Sequence, residues 1–166
     1  DDDANGYVDD VMGWDFHDQD NVTDDDIGHG TFVAGIIGAT ANNGRGIAGI
    51  NQRARLLPVK ILSNDNPPGW PEDGTEDEQR EYVTTFLTTL NTRIAQGIRY
   101  AADMGACMAN NSWGMGIPSR LVDDAVAYAH GRGCAMFFAS GNAGVDAHFS
   151  YPQSHWAVIQ VNASTQ

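Results

Sequence analysis

The stretch IAQGIRYAADMGACMANNSWG, residues 94–114, changes its periodicity in the middle, and that change sets the fold class. Ile94, Ile98, Ala101 and Ala102 recur at the spacing of one helical face, and Gly105 stands where a helix stops. "ACMANNSW" (106–113) then reads as a short buried strand that breaks into the polar turn 110–114. Upstream, the helical pattern reaches back to Thr75 through Phe86, Leu87 and Leu90. Downstream, "SRLVDDAVAYAHGRG" (119–133) predicts a helix with Ser119 as N-cap. "CAMFFAS" (134–140) and "HWAVIQVNA" (155–163) predict two further strands. Nearer the start, residues 30–41 put Phe32, Val33, Ile36 and Ile37 on one helical face, and "ARLLPVKIL" (54–62) reads as a strand in which Pro58 must sit where no ladder donor is needed. Strands alternating with helices predict an α/β fold: right-handed crossovers and a mostly parallel sheet with helices on both faces.

With 166 residues, 42% of them hydrophobic, the chain is expected to form one domain with a substantial core. No window approaches 18 apolar residues, and the opening residues are acidic rather than basic and then apolar, so neither a membrane span nor a signal peptide is read here. Net charge is −13, and residues 1–26 carry eleven Asp with no Lys or Arg. Such a chain repels nucleic acid and anionic lipid, and a charge concentrated at one end asks for a local cation. Cys107 and Cys134 each follow a glycine and open an apolar run, which predicts two buried free thiols unless strand register brings them together as a disulfide.

The acidic opening "DDDANG" has the Asp-x-Asp-x-Asn-Gly spacing of a calcium loop, with Asp1, Asp3 and Asn5 as oxygen ligands and Gly6 at the sharp turn. Met12 stands where a bidentate Glu would close an EF-hand, so any cage would have to be completed by Asp9 or Asp10; the alternative is a solvated charge cluster. In open parallel sheets chemistry gathers beyond the carboxyl ends of the strands. The turns NNSWG (110–114) and SGNAG (140–144) fall there and are candidates for one cleft, though either could serve only as a turn. His29 lies at the start of the first helix, between Gly28 and Gly30. There the positive end of the helix dipole disfavours imidazolium and leaves the ring able to accept a proton.

The string GHGTFVAGIIGA (28–39) resembles the histidine motif of the subtilisin-like serine proteases, and further matches follow in that family's order. NGRGIAGI and ARLLPVKIL resemble the stretch after the histidine helix, IAQGIRYAADMGACMANNSWG the next helix and substrate strand, and CAMFFASGNAG the strand and turn carrying the oxyanion asparagine. NGYVDDVMGWDF and YPQSHWAVIQVNAS are similar to the segments at either end. The resemblance implies a three-layer subtilisin-like domain and serine endopeptidase chemistry. It assigns the general base to His29, the side-chain oxyanion donor to Asn142, pairing with an extended polypeptide substrate to Ser112, Trp113 and Gly114, and a specificity-pocket wall to Ala139, Ser140 and Gly141. It also implies structural calcium, an extracellular setting and no organic cofactor. Phe32 stands where a second histidine is usual.

Nothing in the 166 residues matches the family's aspartate or serine motifs, so the domain reads as partial, with one triad member of three. Asp24, Asp25 and Asp26 precede His29, but three mutually repelling carboxylates in a surface loop are expected to be solvated or cation-bound, and Ser164 lies in the last few residues. The alternative function is a non-catalytic calcium- or peptide-binding relative. A nucleotide-binding domain is disfavoured because NNGRGIAG (42–49) precedes a strand rather than a helix. His17, His130, His148 and His155 have no metal-ligand spacing, and Trp14, Trp70, Trp113 and Trp156 lack the basic groove of a base-stacking platform.

Overall fold

In the computed structural model every ladder between named strands is parallel, as the helix–strand alternation requires, but the ladders form two sheets. The structure describes residues 1, 3–64, 71–142 and 151–163; Trp70, His148, Ser164 and the end of the turn 140–144 lie outside them. The chain divides into two compact units, Asp1–Pro68 and Gly69–Gln166.

In the first unit, β1 (Trp14–Asp15) pairs with β2 (Val59–Lys60) in the register Trp14↔Val59 and Asp15↔Lys60. The strand expected over 54–62 is cut to these two residues. Pro58 has no N–H to donate, and its carbonyl instead accepts from the N–H of Trp14 at 3.3 Å. Gly13 makes that approach possible, since a Cβ there would stand 2.1 Å from the Pro58 oxygen. Tyr7 packs on Trp14 and Phe16 with ring centroids 5.0 and 5.5 Å apart. Between those two aromatic residues the Asp15 carboxylate is wholly buried, its Oδ2 3.0 Å from Lys60 Nζ. Helix α1 (His29–Gly38) begins at His29 as expected, but none of its residues is buried, and Phe32 is 66% exposed on the predicted apolar face.

In the second unit β3 (Met108–Asn111), β4 (Ala135–Ala139) and β5 (Val158–Val161) lie side by side in chain order. The registers Met108↔Ala135 and Met136↔Val158 set their ends level. Helix α2 (Glu76–Asp103) starts in a capping box, in which Thr75 N–H donates to Glu78 Oε2 at 2.7 Å and Glu78 N–H donates to Thr75 Oγ1 at 3.3 Å. Its buried face runs only from Ile94 onward, so Phe86, Leu87 and Leu90 contribute less than the periodicity predicts. Helix α3 (Arg120–Gly131) packs on β4 and against α2, with Val122, Ala125, Val126 and Ala129 fully buried. The small alanines let the helices and sheet approach closely.

One expectation holds with a different set of bonds, and another is corrected. Ser119 is the N-cap of α3, yet its side chain makes no capping bond; its carbonyl accepts the N–H of Asp123 at 3.0 Å and the hydroxyl of Tyr151 at 2.6 Å. Cys107 is exposed because it precedes the open first residue of β3. Its neighbour in register, Cys134, is buried, and both thiols are free. Burial, and secondarily Cys107, pushes the Cys134 thiol up. Among the described residues no helix is long and apolar enough to cross a membrane.

Candidate active site

The first turn of α1 has no capping side chain of its own, because the N-cap is Gly28. Its exposed N–H groups are taken by a residue four positions before His29. Asp25 Oδ1 accepts from Ile27 N–H at 3.0 Å and Gly28 N–H at 2.8 Å, while Oδ2 accepts from Thr31 N–H at 2.7 Å. The Thr31 N–H, then the Thr31 hydroxyl and the N–H groups of Gly28 and Ile27, hold the Asp25 carboxyl far below the usual carboxylate range. A negative charge at this end of the helix also answers the dipole. Asp26 is anchored in another direction: Ser63 Oγ donates to its Oδ2 at 2.5 Å and Asn64 N–H at 3.3 Å, and the Asn64 amide donates to its carbonyl. Lys60 Nζ lies 3.8 Å from Asp26 Oδ1. The Ser63 hydroxyl and the Asn64 N–H lower this carboxyl as well. Asp25 and Asp26, expected to be solvated or cation-bound, are exposed, and their oxygens also accept from backbone and side-chain donors in the loop before His29.

In the second unit the residues after β3 and β4 surround one cleft of about 700 Å³. Ser112, Trp113, Gly114 and Met115 line one side, Ala139, Ser140, Gly141 and Asn142 another, and Gln153, Val161, Asn162 and Ala163 complete it. The cleft exists because parallel register places the carboxyl ends of β3, β4 and β5 together. Trp113 is held edge-on against Phe138 with centroids 5.0 Å apart. The Asn111 amide donates to the carbonyls of Phe137 at 3.2 Å and Ala109 at 3.3 Å, which ties the ends of β3 and β4. Ser140 N–H donates to Val161 O at 3.0 Å, and Met115 N–H to Tyr151 O at 2.7 Å. Gly141 turns at φ +89° and leaves Asn142 exposed at the rim.

At the N-terminus the predicted calcium ligands turn toward their own loop. Asp1 accepts from Asn5 N–H at 3.0 Å and Gly6 N–H at 3.1 Å, Asp3 Oδ2 accepts from Asn5 Nδ2 at 3.0 Å, and Asn5 Oδ1 accepts from Tyr7 N–H at 2.7 Å. Among the described residues no three His, Cys, Asp or Glu side chains are grouped as a metal site. The donor set is hard oxygen, suited in kind to calcium, but each of these three side chains already accepts an N–H.

The chain belongs to the subtilase family: the peptidase S8, subtilase family model matches residues 1–166. It is 35% identical over 156 residues to thermitase of Thermoactinomyces vulgaris, a match covering 94% of this chain and 48% of thermitase. It is 37% identical over 164 residues to a cell wall-associated protease of Bacillus subtilis strain 168, covering 99% of this chain and 16% of that protein. Among solved structures, the S41 psychrophilic protease superposes with a TM-score of 0.58 at 26% identity, covering 77% of this chain and 37% of that one. The chain thus spans about half or less of the length of these relatives.

Ser112, Trp113, Gly114, Ala139, Ser140, Gly141 and Asn142 come together around the cleft, while His29 belongs to the first unit. Sequence reasoning weighed Asp25 only as one of three loop acids, missing its capping role, and gave Gln153 no role. An Asp-x-x-Gly turn just before a helix is a signal that could have found Asp25. Gln153 lies within the segment YPQSHWAVIQVNAS, and no local pattern singles it out there.

Proposed function

We propose that this chain is the central part of a serine endopeptidase. In this reading His29 takes the proton of a serine nucleophile and returns it to the leaving amine, with that serine and the orienting aspartate supplied by residues outside these 166. Asn142 donates to the oxyanion; a donor aimed where charge develops lowers the barrier selectively. Ser112, Trp113 and Gly114 hold the polypeptide substrate as an added strand, which binds backbone without demanding sequence, and Ala139, Ser140 and Gly141 wall the side-chain pocket. The observation that carries this is that all seven residues line one cleft in the unit that holds Asn142. A family that includes a cell wall-associated protease supports an extracellular setting. Calcium at Asp1, Asp3 and Asn5 is part of the same proposal, because a carboxylate oxygen that accepts an N–H keeps a lone pair for a cation; titration with calcium followed by calorimetry checks it, and heat unaltered by Asp1→Ala with Asp3→Ala refutes it.

The test of the activity is a fluorophosphonate probe with peptide mass spectrometry. On residues 1–166 alone no adduct is expected. On the polypeptide extended by its flanking coding sequence, an adduct on one serine outside this segment is expected, lost with His29→Ala. An adduct that survives His29→Ala, or none on the extended polypeptide, overturns the reading.

A further inference from the structure

Among the described residues that line the cleft, Gln153 is the one long polar side chain, and it is only 6% exposed. Its Nε2 donates to the carbonyl of Trp113 at 3.2 Å and to the carbonyl of Ala139 at 2.8 Å. Those two carbonyls come from opposite walls, the segment after β3 and the end of β4. Both amide protons are thereby used, and the two walls are tied at a set separation. The amide also lies directly against Gly114, where a Cβ would stand 2.6 Å from Nε2, so the glycine is needed to seat it. Its Oε1 is buried without a hydrogen-bond partner among the described residues. A buried acceptor left unmatched destabilises the fold, so packing stability alone does not account for an amide at this position.

We infer that Gln153 is a specificity-determining plug: it closes the slot between Ser112–Gly114 and Ala139–Gly141 from below, so that the peptide side chain entering there is small and uncharged, of the size of Gly, Ala or Ser. This rests on the peptide-binding reading of the cleft and names the substrate class of that site. A large apolar or aromatic side chain that reaches down between the two walls meets the amide that bridges them. Seating it would expel Gln153, break both of its hydrogen bonds and leave the Trp113 and Ala139 carbonyls unpaired. A charged side chain would meet no opposite charge among the described lining residues to offset its desolvation.

The test uses the full 166-residue chain and acetylated tetrapeptide amides Ac-Ala-Ala-Ala-Xaa-NH2, with Xaa as Ala, Leu or Phe, followed by backbone amide shifts of Ser112, Trp113, Gly114, Gly141 and Asn142. The wild-type chain should bind the Ala peptide roughly tenfold more tightly than the Phe peptide. Gln153→Ala should reverse that order by a similar factor, and Gln153→Met, which restores volume without the hydrogen bonds, should keep the wild-type order. Equal or tighter binding of Phe by the wild type, or an order unchanged in Gln153→Ala, overturns the plug. Indole is titrated in parallel as a bare apolar probe that needs no peptide groove. If no peptide moves these amides, the peptide-binding reading fails; the plug is then upheld by indole shifting them in Gln153→Ala but not in wild type, and overturned by the same response in both. If Gln153→Ala does not fold, the wild-type peptide order and the Met variant decide.

Discussion

Replacing Asp25 by Ala should loosen the first turn of α1 without touching its apolar residues. Three backbone N–H groups, those of Ile27, Gly28 and Thr31, lose their acceptor at 2.7–3.0 Å, and the N-cap Gly28 has no side chain to substitute. Counting each as a charge-assisted hydrogen bond would overstate the effect, because Asp25 is exposed and water replaces the carboxylate. The loss of one helix cap, about 1 kcal/mol, is the better scale. That corresponds to a roughly fivefold fall in amide exchange protection at Thr31 and Phe32, read by hydrogen–deuterium exchange at pH 7. Asp25→Asn keeps one acceptor oxygen of two and should fall between. The pH dependence carries a definite sign. The carboxyl is depressed in the folded chain, so its contribution is complete above the unfolded carboxylate value near pH 4 and fades as pH drops below it toward the lower folded value. The gap between wild type and Asp25→Ala should therefore narrow below about pH 4. Unchanged protection at pH 7, or a gap that widens in acid, would refute the cap.

Two other perturbations follow from buried groups in the two units. Lys60→Met leaves the wholly buried Asp15 carboxylate without the ammonium 3.0 Å away and should lower the stability of the first unit by about 2 kcal/mol in urea unfolding, with much of it restored by adding Asp15→Asn; additivity of the two changes would show that the pair does not interact. Native alkylation with iodoacetamide should label Cys107 and spare Cys134, whose thiol is buried and raised, so equal labelling by peptide mass spectrometry would contradict the register and packing of β3 and β4.

Local signals in the sequence were enough for the α/β class, the start of α1 at His29, the span of α2 from about Thr75 to its glycine stop, and the order of β3, α3, β4 and β5. Each depends on neighbours within a few residues: helical spacing from Ile94 to Ala102, the Gly105 break, and the Gly-His-Gly-Thr string itself. Strand ends were less legible because they depend on the partner; Pro58 shortened β2 through a bond it could accept but not donate. The burial of the cysteines differed although Cys107 and Cys134 have alike local sequence, one ending exposed and the other buried.

The cleft divides along this line. That Ser112–Gly114 and Ala139–Asn142 would share one pocket follows from parallel strands whose carboxyl ends align, a rule of topology that a sequence can invoke. The parts played by Asp25 and Gln153 could not be read in the same way. Asp25 looks like one of three equivalent acids until the backbone curls its N–H groups onto one carboxylate and turns its neighbour toward Ser63. Gln153 stands 40 residues from Trp113 and 14 from Ala139, and only the packed sheet brings both carbonyls within reach of one amide. Periodicity and capping are short-range and repeat in sequence, whereas a hydrogen bond across a cleft is a single contact between distant residues that tertiary structure alone selects.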